Sequence, residues 1–518
     1  MPYLAHVKSL SRFQTTLRHL ADFMEVGTTP LQWRYLRQSA AQEERKERVS
    51  RTNVAYIEYR PQTAPQNIAI ASATQLKEIL SHLKHDPTRA PPMRLFLVED
   101  LSRDVIELLG SRFDVDPLFF REHIEDYVWF NIHEPAAIPS SLMSSMKQRS
   151  WFRLRNMRLR FHKTKSSFES AKVETNTWNV RRRPDDDQNN WSYKDPRGSV
   201  VSLLRTRTTI WVGKDKYCGG GTVGIILLDP TIRSGKPLWY DRTNWLPTTS
   251  MEADPPPFRF SKSWFEDIVQ MTVLYPWYEA ASGHRIDPSA LTCPTLYTSC
   301  AEWLVMCDYI NGRLSQIEWE LEMPAIFRPK DSMIDSLLKR LATWRRQIPV
   351  MREMVTEALE QSLPAAERLA QSQKEVENIR PDFERVLRLL KELQNRVDLL
   401  TGYVNSAISI EDTKQSLSEG HGVARLSWLA MIFVPLTFIT GLFSMTDDLA
   451  SLEKTYRVYF PIAIPLTVVI MLFALFLSSE MWKDIKAAIG RLRRKRWEEK
   501  ELSKRNPKKL PRRSAILR

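Results

Sequence analysis

The sequence predicts an α+β chain made of a mixed α/β domain, a long helical stalk and two C-terminal transmembrane helices. Three observations predict it. Strand-like and helix-like segments mix through the first 290 residues, apolar residues keep 3-4 spacing from about Asp331 to Glu411, and two charge-free apolar runs lie near the C-terminus.

The apolar runs decide the class. Leu426 to Phe443 holds 18 residues without a charge and Tyr459 to Leu477 holds 19. As helices they cover about 27 to 28 Å, close to the ~30 Å of a bilayer's hydrocarbon. A pair of buried core helices is the alternative, but a soluble helix carries a polar face and neither run has one. No apolar N-terminal stretch marks a secretory signal. The first 20 residues carry Lys8, Arg12 and Arg18 without an acid, a faint mitochondrial hint that leaves the plasma membrane ahead of the mitochondrial inner membrane.

The flanking charges orient the spans. Thr446 to Val458 has only Lys454 and Arg457 as cations, whereas Ser479 to Arg518 has 15 Lys/Arg against 5 Asp/Glu. The positive-inside rule keeps this basic tail in the cytosol, and an even number of spans returns the N-terminal part to the same side. Both termini are therefore expected to be cytosolic. The formal net charge of +14 resides mostly in the tail. Beside a membrane exit such a tail suits anionic lipid headgroups better than nucleic acid.

The stalk follows from heptad spacing. Ile334, Leu337, Leu341, Trp344, Ile348, Met351, Val355 and Ala358 form one series; Phe383, Val386, Leu390, Leu393, Val397, Leu400, Val404 and Ala407 form another. Pro364 and Pro381 separate them, consistent with an antiparallel turn or a kinked joint. No strong turn signal divides the second helix from the first span, so one helix is expected from about Asp382 to Phe443. Its apolar stripe needs a cover, either the upstream heptad helix or further copies of the chain.

In the N-terminal 290 residues, Arg94 to Glu99, Met157 to Phe161, Val200 to Val212 and Val223 to Leu228 read as strands, while Arg103 to Phe113 and Lys262 to Tyr275 read as helices. Pro184 to Asn190 and Asp254 to Pro257 read as linkers. The expected division is 1–90, an N-terminal extension without an assigned fold; 91–290, the cytosolic α/β domain; 291–425, the helical stalk; 426–443, the first span; 444–458, a short outward loop; 459–477, the second span; and 478–518, the basic cytosolic tail.

Enzyme chemistry finds little support. Gly219 to Gly221 precedes a strand, whereas a phosphate-cradling loop follows one and opens a helix. A turn is the simpler reading. His123 and His133 have acids nearby (Glu122, Glu125, Glu134) but no partner at metal-ligand spacing. Cys218, Cys293, Cys300 and Cys307 lack the spacing of a metal site and read as buried helix residues.

The informative constellation closes the first span: Val434-Pro435-Leu436-Thr437-Phe438-Ile439-Thr440-Gly441-Leu442-Phe443-Ser444-Met445-Thr446. With the Tyr459-Phe460-Pro461 opening of the second run, it resembles the CorA family of divalent-cation channels, in particular the fungal CorA-like branch. The resemblance covers about Phe383 to Leu477, and Val98 to Ile124 is similar to the family's first cytosolic helices. One feature departs: the family's Gly-Met-Asn is Ser444-Met445-Thr446 here. In relatives the Asn ring holds a hydrated ion through neutral oxygens, which suits Mg²⁺ because it loses water reluctantly. A Thr446 hydroxyl is a shorter neutral oxygen.

The resemblance implies a homopentamer whose first spans line a passive pore, with Mg²⁺ or a similar divalent cation as the transported ion and as a gating ligand, and with no other cofactor. Ser444, Met445, Thr446, Thr437 and Gly441 would form the selectivity region, and Val434, Ala430, Leu426 and Val423 the lining and gate. Asp447, Asp448 and Glu453 would make an acidic outer ring. A non-conducting scaffold or sensor that has lost the filter is the alternative. No metal ligand in the cytosolic domain is assigned.

Overall fold

Apolar, β-branched segments build one mixed sheet. In the computed structural model its strands are β1 (Val54–Tyr59), β2 (Gln66–Ile70), β3 (Met93–Glu99), β4 (Trp151–His162), β5 (Pro184–Asp187), β6 (Val200–Lys214), β7 (Thr222–Leu228) and β8 (Lys236–Pro237), in the order β2-β1-β3-β7-β6-β4-β8. The structure describes residues 1–478 apart from 28–35, 37, 61–62, 64, 84–90, 126–137, 139–140, 183, 188–195, 197, 239–250, 252–262, 275–287, 324–325, 327–333, 371–372 and 445–451. β3 and β7 pair in parallel, with Phe96 opposite Ile225; the other pairings are antiparallel. β6 is long enough to pair with β4 on one edge and to divide the other between β5 and β7. β1, β3 and β7 are buried almost throughout, as strands covered on both faces must be.

Short helices supply one cover: α1 (Pro2–Ser11), α2 (Arg18–Val26), α3 (Gln42–Ser50), α4 (Ala73–His82), α5 (Arg103–Phe113) and α6 (Pro117–Ile124). Tyr3, Phe23, Phe113, Phe119 and Phe120 pack there with Phe96 of the sheet. The Glu107 carboxylate accepts from the backbone N–H groups of Tyr3 and Leu4, both at 2.9 Å, and so satisfies the open start of α1. Gly110 is dictated by this docking, since a Cβ there would sit 2.6 Å from the Tyr3 ring. The first 90 residues are therefore no separate extension. They contribute β1, β2 and part of the main core, and one compact unit runs from Met1 to Asn405. The sequence concealed this because short helices carry too few turns to show a period.

After α7 (Lys165–Thr177) and α8 (Trp264–Val273) come the long helices: α9 (Cys293–Glu322), α10 (Asp335–Glu357), α11 (Leu363–Ala370), α12 (Gln373–Phe443) and α13 (Leu452–Ser478). Ser299 of α9 donates to Asn156 Oδ1 of β4 at 2.6 Å, tying the helices to the sheet. Both heptad series are buried from Leu337 to Ala358 and from Phe383 to Val404. Ion pairs define their packing. Arg345 lies 3.4 Å from Asp398, and Arg352 donates to Gln394, so α10 and α12 run antiparallel. Arg396 of α12 reaches Glu318 and donates to Ser315 of α9 at 3.0 Å. The stripe is thus covered by the chain's own helices, and by itself it does not require further copies.

Several sequence expectations need correction. Pro364 does not end a helix: the chain passes through a π-helical turn, Ala358–Ser362, and continues as α11. A proline lacks its N–H and crowds the carbonyl four residues back, which the wider turn relieves. Pro381 lies inside α12. Pro184–Asp187, expected in a linker, is β5, while residues 254–257 lie outside the described residues. Cys293, Cys300 and Cys307 are buried in α9, but Cys218 is buried in the β6–β7 turn rather than in a helix.

The two expected transmembrane helices are not shown: among the described residues no helix is long and apolar enough to cross a membrane. The runs that suggested them are helical. Leu426 to Phe443 closes α12, and Tyr459 to Leu477 falls within α13. The second compact unit, Ser406–Arg518, contains both.

Candidate ion pathway

Helical spacing places Val423, Leu426, Ala430, Val434, Thr437 and Gly441 on one stripe of α12, at intervals of three and four residues. All six are exposed in the single chain, Leu426 at 70 % and Val434 at 62 %. The covered positions of this part of α12, Pro435 and Ile439, lie on another side at about 100° per residue. In α13 the less exposed positions, Ala463, Thr467, Ile470 and Met471, also follow helical spacing. The proposed lining stripe is therefore a face that the chain itself leaves open.

Along that stripe Thr437 is the polar element. Its hydroxyl donates to the carbonyls of Phe433 at 2.8 Å and Val434 at 3.0 Å, so its proton is engaged by the backbone and the oxygen offers lone pairs outward. Thr440 donates likewise to Leu436, at 2.7 Å. Ser444 is exposed, and its N–H closes the last turn on the Thr440 carbonyl at 2.9 Å. A Cβ on Gly441 would meet nothing within 4 Å. Met445, Thr446, Asp447 and Asp448 lie outside the described residues, as does the Glu453 side chain.

The sheet domain holds its own charges tightly. Asp229 is paired with Arg182 at 2.8 Å and accepts the Arg207 N–H at 2.7 Å, with His123 Nε2 3.6 Å away. Burial pushes His123 down to about 3, against the pull of Asp229, and lowers Arg207 to about 9 with the help of neighbouring Arg182. Glu357, beside the π turn, lies between Arg153 at 2.6 Å and Arg155 at 2.5 Å, and these cations hold its carboxyl below the usual range despite burial. Asp215 is paired with Arg94 and Arg112, and Asp100 with Arg51. Among the described residues no group of three His, Cys, Asp or Glu side chains is placed to hold a metal ion.

Sequence reasoning did not find this network. Met157 to Phe161, expected as a strand, lies in β4, where Arg158, Arg160 and His162 alternate; yet Arg160 and His162 are buried, Arg160 donating to the Ser234 carbonyl at 2.6 Å. A period of two marks two faces without saying what covers each. His123 is a core histidine hydrogen-bonded to Thr209 at 3.0 Å, whereas His133 and Glu134 lie outside the described residues. Gly219 to Gly221 fall in the β6–β7 turn, with positive φ at Gly219 and Gly220.

The fold and the candidate pathway define a mixed α/β domain followed by long helices, the last two bearing exposed apolar faces. Residues 278–477 match the model of the CorA-like Mg²⁺ transporter protein family, so this helical stretch of the chain is similar to that family. Comparison with curated proteins gives no match. Among solved structures the chain is similar to one titled "structure of the full-length CmaX protein", at 10 % identity and a TM-score of 0.38, over 82 % of this chain and 97 % of that one; nothing is carried from that likeness to this protein.

Proposed function

We propose that this chain is a membrane transporter that passes divalent cations, Mg²⁺ foremost, passively through a pore formed by several copies. The family match over residues 278–477 supports the cation and the membrane. The observation that carries the reading is the exposure of α12 and α13. Phe433, Val434, Phe438, Val469 and Phe473 all stand more than half exposed in one chain. Water would charge roughly 25 cal/mol for each Å² of that apolar surface, whereas lipid and neighbouring copies cover it.

In this reading the two apolar runs span the bilayer, both ends of the chain are cytosolic, and five copies set the Val423 to Gly441 stripe around a water-filled axis. Asp447, Asp448 and Glu453 concentrate cations at the outer mouth. Ser444, Met445 and Thr446 stand where the family's filter lies, and neutral oxygens there hold the ion through its water shell. The outward lone pairs of Thr437 offer a second ring of acceptors. Below it Val434, Ala430, Leu426 and Val423 form apolar rings that gate by dewetting. A divalent ion gains about 4.6 kcal/mol in crossing 100 mV, so no covalent chemistry is needed. The basic tail rests on anionic headgroups.

Reconstitution tests this. Purified full-length protein in liposomes loaded with a Mg²⁺-sensitive dye should admit Mg²⁺ well above empty vesicles. Influx no faster than in empty vesicles, for Mg²⁺, Co²⁺, Ni²⁺ and Zn²⁺ alike, would falsify the transport reading and leave a non-conducting scaffold.

A further inference from the structure

We propose that Gly420 and Gly422 form a hinge in α12, letting the apolar stripe that begins at Val423 bend against the polar stretch before it. α12 is helical across both glycines, and neither has a steric reason to be glycine: φ is not positive, and a Cβ at either would meet nothing within 4 Å. Each therefore disfavours the helix by about fivefold relative to alanine without a packing return inside the chain.

The surroundings add to the weakness. Every described residue from Ser409 to Gly422 is exposed in the single chain, so no packing within the chain supports the helix there. Ser409, Thr413, Ser416 and Ser418 are poor helix formers, and Thr413 donates to the Ser409 carbonyl at 2.6 Å, a bond that favours bending. The side-chain bond from Gln415 to Glu419, 3.0 Å, is a modest brace. By contrast, Phe383 to Val404 of the same helix is locked by its buried stripe. The weakest part of a 71-residue helix thus lies one turn before Val423 and Leu426. Its functional consequence rests on the transport reading: bending at this point would move the apolar rings and so open or narrow the pathway, while the mechanical hinge stands without it.

Amide hydrogen exchange on the full-length protein in lipid nanodiscs separates the two. Peptides covering 416–425 should exchange at least about 100-fold faster than those covering 383–404. The double substitution Gly420→Ala, Gly422→Ala should slow the 416–425 exchange by about 10- to 30-fold, while Gly402→Ala, equally open, should leave it unchanged. In liposomes the double variant should change Mg²⁺ influx at least about threefold, and Gly402→Ala should not. Exchange at 416–425 as slow as at 383–404 would overturn the hinge. So would a double variant that exchanges like wild type, or one that loses its oligomer with exchange unchanged, since the glycines would then serve close packing between copies. If the wild type exchanges as expected but carries no ion, the hinge survives and the transport reading falls.

Discussion

At the scale of single residues, two side chains make opposite use of their surroundings. Thr437 spends its proton on the backbone of its own helix and leaves its oxygen outward. Thr437→Val keeps the shape and removes that oxygen. It should cut Mg²⁺ influx about tenfold, the size of one lost hydrogen bond, with helix content unchanged by circular dichroism. Equal influx in the two proteins would remove Thr437 from the pathway. His123 is held neutral, down at about 3 against 6.5 for a free imidazole. The folded state therefore binds fewer protons than the unfolded chain between these values. Stability from His123 is complete above about 6.5 and drains away as the pH falls toward 3. Thermal unfolding between pH 7 and pH 4 should show a steeper loss for wild type than for His123→Gln; parallel curves would refute the assignment.

At the scale of elements, the long helices carry their burial in the sequence. The heptad series Phe383 to Val404 is buried position by position, and Leu390→Ala should cost about 2 to 5 kcal/mol in unfolding experiments, as a core leucine does. A change under 0.5 kcal/mol would mean that the stripe is covered loosely. The helix expected from Asp382 to Phe443 is found from Gln373 to Phe443, and Arg103 to Phe113 matches its helix end for end. These were legible because long periods average out local exceptions. β1 and β2 were not, because six residues of VAYIEY carry no clear period once both faces are buried. The π turn escaped too, since Pro364 reads as a break unless the helix can widen around it. In the candidate pathway, the stripe from Val423 to Gly441 could be read by counting along the helix. The ring of arginines around Asp229 and Glu357 could not, because it joins residues up to 204 positions apart.

At the scale of the whole molecule, burial inside one chain and exposure near its end divide the work. The stalk's apolar stripe is satisfied by the chain's own helices, so the proposed oligomer would have to form through the open faces of α12 and α13. The buried carboxylates Asp229, Glu357 and Asp215 each have arginine partners, so a divalent gating ligand would have to compete with guanidinium groups there. In the proposed transport reading, ion flux would depend only on the pathway and on the field across it. The most direct test is Mg²⁺ influx into liposomes holding the full-length protein, with the membrane potential set by a K⁺ gradient and valinomycin. Influx should rise as the interior is made more negative and fall when the potential is reversed, without any energy source. Uptake indifferent to the potential, or absent at every potential, would contradict a passive cation pathway.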